Sequence, residues 1–114
     1  MKRTVVFYKT ADGKCPVREF LNSLSGKAAQ KVLWVLRLLE ELAIIPSTYF
    51  KKLTENIYEC RAQFGSMAYR ILCFFVNGSE IVLTHGFIKK SQKIPGSEIE
   101  KAKAYRKDFL RRRR

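Results

Sequence analysis

The segment Ile57–Lys90, IYECRAQFGSMAYRILCFFVNGSEIVLTHGFIKK, decides the fold. Its β-branched and aromatic residues read as strand, and two turn signals divide it, Gly65-Ser66 and Asn77-Gly78. Asn-Gly favours a tight hairpin because both central residues of that turn need φ > 0. Three antiparallel strands follow. Successive side chains of a strand point to opposite faces, so parity sorts residues between the two sides of the sheet. A first hairpin symmetric about Gly65-Ser66 sets Arg61 opposite Arg70. A two-residue loop at Asn77-Gly78 sets Phe74 opposite Ile81, Leu72 opposite Leu83 and Arg70 opposite His85. A loop two residues longer moves Phe87 opposite Arg70 and keeps the parity. Either way Glu59, Arg61, Arg70, His85, Phe87 and Lys89 share one side, near one end of the sheet. Two arginines directly opposed repel by roughly 0.2–1 kcal/mol. Keeping them there makes sense if they hold an anion.

The other face of these strands, Tyr58, Cys60, Tyr69, Ile71, Cys73, Phe75 and Val82, is continuously apolar and should carry helices. The first face is also apolar away from its charged end, through Leu72, Phe74, Val76, Ile81 and Leu83. Upstream, Thr4 to Tyr8 is a strand by composition. After Asp12-Gly13, Pro16 suits a first helical position, with Val17, Phe20, Leu21 and Leu24 on one stripe. Ser25 can cap a second helix that runs to about Ala43 and stops before Pro46. Its stripe is Val32, Val35, Leu36, Leu39 and Ala43, while Trp34 falls on the polar side. Trp34 is either covered by the first helix or the loop after Pro46, or left as an aromatic anchor for a partner. Lys51-Lys52-Leu53 leads into the three strands. The last helix spans Pro95 to about Leu110, with Ile99, Ala102, Tyr105 and Phe109 on one side. Glu98 and Glu100 at its start and basic residues at its end suit the helix dipole. The Arg111–Arg114 tail reads as a frayed, solvated end or as an electrostatic grip on RNA.

A chain of 114 residues, 46% hydrophobic and 29% charged, is one domain able to bury a core of its own. Its formal net charge of +13 is unusual and predicts a polyanionic partner, such as nucleic acid, the ribosome or an acidic protein. A membrane surface fits less well, since the basic residues do not line one face of an amphipathic helix. Cys15, Cys60 and Cys73 form no CxxC, and buried thiols in a reducing cytoplasm are the plain reading. One histidine and no clustered ligands argue against a transition-metal site. The apolar run near the N-terminus is too short for a signal peptide, and no segment approaches a membrane span.

Taken in order, Lys52-Leu53, Tyr58-Glu59-Cys60-Arg61, Gly65, Tyr69-Arg70-Ile71-Leu72 and His85-Gly86-Phe87-Ile88-Lys89-Lys90, followed by a proline-led helix, resemble the HigB branch of the RelE toxins. With the N-terminal strand and two helices, the likeness covers nearly the whole chain. One departure is Cys60, where leucine is usual. The resemblance implies an α+β RelE-like fold: an antiparallel sheet of about four strands, mixed at the N-terminal strand, two N-terminal helices on one face and a C-terminal helix. It implies the toxin half of a type II toxin–antitoxin pair and a cognate helix-turn-helix, HigA-like antitoxin. The activity it implies is ribosome-dependent cleavage of mRNA in the cytoplasm, without metal or other cofactor.

In such toxins the RNA 2′-hydroxyl attacks the adjacent phosphate and the protein stabilises the charged transition state. Arginine suits this, because its planar fork stays protonated and binds phosphate oxygens bidentately. The resemblance assigns that role to Arg61 and Arg70, with Lys89 and Lys90 assisting. His85 has the intrinsic pKa for proton transfer, lowered by neighbouring arginines, or is simply a strand histidine bonded to a carbonyl. Arg61 and Glu59 could equally form a plain surface ion pair. Lys51, Lys52 and Lys93 are candidate RNA and ribosome contacts, with Phe87 a base-stacking platform or else a core or wall residue. Trp34 is the candidate antitoxin contact. Two other readings share these features: a ParE-like gyrase poison of the same fold, and a basic RNA-binding module without catalysis.

Overall fold

The computed structural model describes residues 2–113. It runs β1 (Thr4–Phe7), α1 (Pro16–Asn22), α2 (Gly26–Glu41), β2 (Phe50–Thr54), β3 (Ile57–Phe64), β4 (Met67–Val76), β5 (Glu80–Lys89) and α3 (Gly96–Arg112). The strands form one sheet in the order β1-β5-β4-β3-β2. β1 runs parallel to β5 and every other pair is antiparallel. The architecture is α+β, compatible with a RelE-like fold. It has five strands rather than four, because Phe50–Thr54 pairs along the edge of β3 instead of merely leading into it. Two exposed lysines in a five-residue run hide its strand character from composition, yet lysine is common on a free edge, where it discourages pairing with another chain.

The helices begin where their caps predict. Pro16 opens α1, and the Ser25 hydroxyl oxygen accepts from the Ala28 N–H at 3.2 Å. α2 ends at Glu41, so Ala43 lies beyond the helix and is exposed instead of completing the stripe. The Arg3 guanidinium donates to the carbonyls of Leu39, Leu42 and Ala43 at 3.0, 2.6 and 2.7 Å, satisfying the helix end. α1 and α2 cover one face of the sheet, packing Val17, Val32, Val35, Leu36 and Leu39 on Ile71, Cys73, Ile81 and Leu83. α3 covers the other with Ile99, Ala102, Tyr105 and Phe109, over Leu72, Phe74, Val76 and Val82.

That assignment exchanges three residues of β5. Ile81 and Leu83 face α1 and α2, and Val82 faces α3, the reverse of the parity a two-residue loop implies. Asn77 and Gly78 do take φ of 54° and 71°, and the Ser79 N–H closes the turn on the Val76 carbonyl at 3.3 Å. Val76 then pairs with Glu80, which makes Ser79 one extra loop residue. A bulge at Thr84 adds a second shift: Cys73 pairs with Leu83 but Leu72 with His85. The Thr84 hydroxyl, fully buried, donates to the Leu72 carbonyl at 2.9 Å and satisfies the broken ladder. The two one-residue shifts add up to two, so parity is restored beyond the bulge and Arg70 pairs with Phe87.

The C-terminal basic run is more ordered than a frayed tail. Arg111 and Arg112 are helical and pair with Asp108, and Arg113 caps the helix and reaches Glu80 at 2.7 Å. Arg114 lies outside the described residues. All three cysteines are buried free thiols, with Cys60 and Cys73 Sγ 3.7 Å apart. Among the described residues no helix is long and apolar enough to cross a membrane.

Candidate functional site

Register lays the charged residues out in cross-strand rows on the α3 side of the sheet. Gln63, Ala68 and Lys89 form one row, then Arg61, Arg70 and Phe87, then Lys51, Glu59, Leu72 and His85. Arg61 and Arg70 are direct cross-strand partners, as the Gly65 turn requires; Gly65 itself has φ of 62°.

Arg70 is 7% exposed, which is unusual for arginine. Its Nε lies 2.8 Å from Glu59 Oε1, while Nη1 donates to the Tyr69 carbonyl at 3.0 Å. The Nε–Oε1 contact is a close ion pair that lacks the alignment of a hydrogen bond. Burial pushes the Arg70 guanidinium below its ordinary pKa, Glu59 opposes that shift, and Arg61 adds to it. Arginine starts so high that the group remains a cation. Arg61 is held differently. Its backbone N–H donates to the Tyr49 carbonyl at 2.8 Å and its Nη1 to the Ser47 carbonyl at 3.1 Å, with Nε 3.9 Å from Glu59 Oε1.

Two open hollows meet at Arg70. One, about 450 Å³, is lined by Arg61, Arg70, Gln63, Lys31 and Tyr49 among others. The other, about 440 Å³, is lined by Arg70 with Lys89, Lys90, Ser91 and Gln92. Arg61, Arg70, Lys89 and Lys90 thus gather at the end of the sheet that α3 leaves free. Such a cluster is suited to an anion with several oxygens, since it brings guanidinium and ammonium groups to one end of the sheet.

His85 shares the face but not these hollows. It is 4% exposed, with Nε2 3.0 Å from Glu98 Oε1 of α3 and Nδ1 3.1 Å from the Thr84 hydroxyl. Its ring lies 5.9 Å from those of Phe87 and Tyr105. Burial pushes its pKa down, Glu98 pulls it up, and Lys101 pushes it down. The direction matches the sequence expectation, but the cause is burial and a lysine of α3 rather than the arginines. His85 instead borders a third hollow, with Thr10, Lys14, Glu19, Lys101 and Tyr105.

Lys51 and Lys52 are exposed on β2 and point to opposite faces, and Lys93 is exposed in the loop before α3. Phe87 is half-buried and packs against the α3 core. Trp34 is 44% exposed, with Tyr49 against it at 5.6 Å and Lys31 Nζ 4.7 Å from its ring. It is half covered by the segment after Pro46. Sequence spacing presents Glu59 only as a partner of Arg61, whereas its closest contact is Arg70; parity puts all three on one face, but the diagonal contact needs the register. Lys31, Tyr49 and Glu98 come from distant segments and carry no local signal.

No curated protein matches the chain significantly. Residues 19–107 match the family described as phage derived protein Gp49-like, a match that runs from α1 into α3 and includes every basic residue of the two hollows. The chain therefore belongs to the phage-derived Gp49-like family, a family of RelE-like toxins.

Proposed function

We propose that this protein is the toxin half of a type II toxin–antitoxin pair, of HigB type, and that it cuts mRNA on the translating ribosome. The observation that carries the reading is the position of Arg70, buried, anchored by Glu59 and Tyr69, and shared by two basic hollows. A scissile phosphate seated over Arg70 has Arg61 on one side and Lys89 and Lys90 on the other. The RNA 2′-hydroxyl gives up its proton to solvent as it attacks that phosphorus, negative charge grows on the phosphorane oxygens, and the two guanidinium groups oppose it. The 5′-oxygen leaves and takes a proton, for which the lysines are the near donors. The products are a 2′,3′-cyclic phosphate and a 5′-hydroxyl, and no step requires a metal.

His85, closed off by Glu98 and separate from both hollows, fits better as an anchor of β5 to α3 than as the base. Lys51, Lys52 and Lys93 are exposed cations suited to ribosomal RNA. Neutralisation in the cytoplasm falls to a helix-turn-helix antitoxin, for which half-exposed Trp34 is the candidate anchor. The deciding experiment is toeprinting of a translating ribosome with purified wild type and Arg70→Ala. Arg70→Ala should stay folded, still bind the ribosome, and lose cleavage by orders of magnitude, because its contact strengthens in the transition state. Cleavage undiminished in Arg70→Ala would refute the site. Wild type that leaves mRNA intact and blocks gyrase would replace the reading with that of a gyrase poison.

A further inference from the structure

Glu59 is a buried acid in a cluster that the nuclease reading explains only by its bases. It is 5% exposed, and acidic side chains are almost never that buried unless paired. Its Oε1 sits 2.8 Å from Arg70 Nε and 3.9 Å from Arg61 Nε. All three of these atoms are buried and without an aligned hydrogen bond, so charge at close range holds them rather than directed bonding. The geometry assigns Glu59 as the positioning residue for Arg70, the group that fixes the guanidinium on which phosphate binds.

Two anchors hold the Arg70 fork. Arginine offers five N–H donors in a rigid plane. Glu59 lies against Nε, and the Tyr69 carbonyl takes one hydrogen of Nη1. The Nε contact fixes where the head of the side chain sits, and turning the guanidinium plane about the Cδ–Nε bond would break the Nη1 bond to the Tyr69 carbonyl. Nη2 has no hydrogen bond to a described residue. It is the part of the fork left for a phosphate.

Charge gives Glu59 a second task. Arg61 and Arg70 repel across the strand pair, and Arg70 is taken out of water. One carboxylate between them offsets that repulsion and still leaves the trio with a net charge of about +1. A second carboxylate would cancel the attraction for phosphate, and none would let Arg70 swing toward solvent. Arg61 already has an independent tether at Ser47, so Glu59 matters chiefly for Arg70.

This inference rests on the nuclease reading for its rate test but not for its structural one. Glu59→Gln keeps the size and loses the charge; Glu59→Asp keeps the charge and draws it back from Arg70. Single-turnover cleavage on programmed ribosomes should show kcat down about 100-fold for Glu59→Gln, in line with the effect of a small misplacement. KM for the ribosome should stay within about twofold, because exposed lysines carry binding. Thermal melting should remain cooperative. Independently, the Nε–H resonance of Arg70, assigned by its loss in Arg70→Lys, should be slowly exchanging in wild type and broadened in Glu59→Gln. Cleavage and resonance both unchanged in a folded Glu59→Gln would overturn the assignment. If Glu59→Gln does not fold, Glu59→Asp decides in the same way; if neither folds, Glu59 is a stability residue and the assignment fails. Wild type that does not cleave defeats the nuclease reading alone, since the Arg70 resonance still reports whether Glu59 holds it.

Discussion

Gly86 sits where the ring of Phe20 from α1 crosses β5, and a Cβ built on it would lie 2.3 Å from Phe20 Cδ2. No real side chain tolerates that distance, so glycine between His85 and Phe87 is a packing requirement. Gly86→Ala should cost about 1–3 kcal/mol, the usual range for overpacking, measured by urea denaturation. The cost should shrink in a Phe20→Ala background, because the cycle removes the clash itself. An equal cost in both backgrounds would mean that something other than the ring opposes the methyl. His85 supplies a pH prediction at the same scale. Its folded pKa is below the ordinary 6.5, so the unfolded chain takes up the proton first on acidification. Its contribution to stability is complete above pH 6.5 and is lost as pH falls below that toward the folded value. Between about pH 7.5 and 5, wild type should therefore lose more unfolding free energy than His85→Gln. Parallel curves would show that His85 does not titrate on unfolding.

The element whose attachment matters most is α3, since its N-terminal turn closes His85 off through Glu98 and its far end is latched to the residue that follows β1. The Tyr8 hydroxyl donates to Asp108 Oδ2 at 2.5 Å, and Asp108 also receives Arg111 and Arg112 at 2.9 and 2.8 Å. The tyrosine bond, followed by Arg112, holds Asp108 down at about 2, while burial and then Asp108 push Tyr8 up to about 12. A depressed carboxylate stabilises the fold above its unfolded value of 3.8 and loses that effect as pH falls through about 2. Tyr8→Phe should raise the Asp108 pKa toward 3.8 in an NMR titration and speed amide exchange in the last turns of α3. If Asp108 stays near 2 in Tyr8→Phe, the arginines alone hold it. At the other side of the sheet, α2 guards an edge: the Arg3 and Val5 N–H groups of the β1 segment donate to the Glu40 carbonyl and carboxylate at 3.2 and 3.0 Å. Among the described residues nothing covers β2 in this way, and Lys51 and Lys52 discourage pairing at that edge.

For the molecule as a whole, a net charge of +13 should govern association more than chemistry. Polyanion binding releases counterions, so the logarithm of the ribosome association constant should fall linearly with the logarithm of salt concentration. Lys51→Ala with Lys52→Ala should weaken binding and flatten that slope by about 0.7 for each single-strand phosphate that goes unneutralised. Single-turnover kcat at saturating ribosome should not change. A slope that stays the same would remove these two lysines from the interface. Arg111, Arg112 and Arg113 are a poorer grip than their number suggests, because Asp108 and Glu80 already pair with them.

While the α+β RelE-like class came from the family resemblance, the chain's local chemistry was enough for the three-stranded meander, the starts of α1 and α2, the positions of both turns and the opposition of Arg61 to Arg70. Each of these depends on residues a few positions apart, and periodicity and turn chemistry report such neighbours directly. Tertiary structure decided the rest. Whether Ile81 or Val82 faces α3 hinges on Ser79 as an extra loop residue and on a bulge at Thr84 that the buried hydroxyl satisfies. Whether Phe50–Thr54 is a strand depends on the β3 edge being free to receive it. His85 shares a face with Arg70 by parity, yet only the packing of α3 determines that Glu98 takes its Nε2 and separates it from the arginines. Glu59 lies against Arg70 for the same kind of reason: a diagonal contact between strands is set by register and side-chain reach, which sequence spacing does not encode.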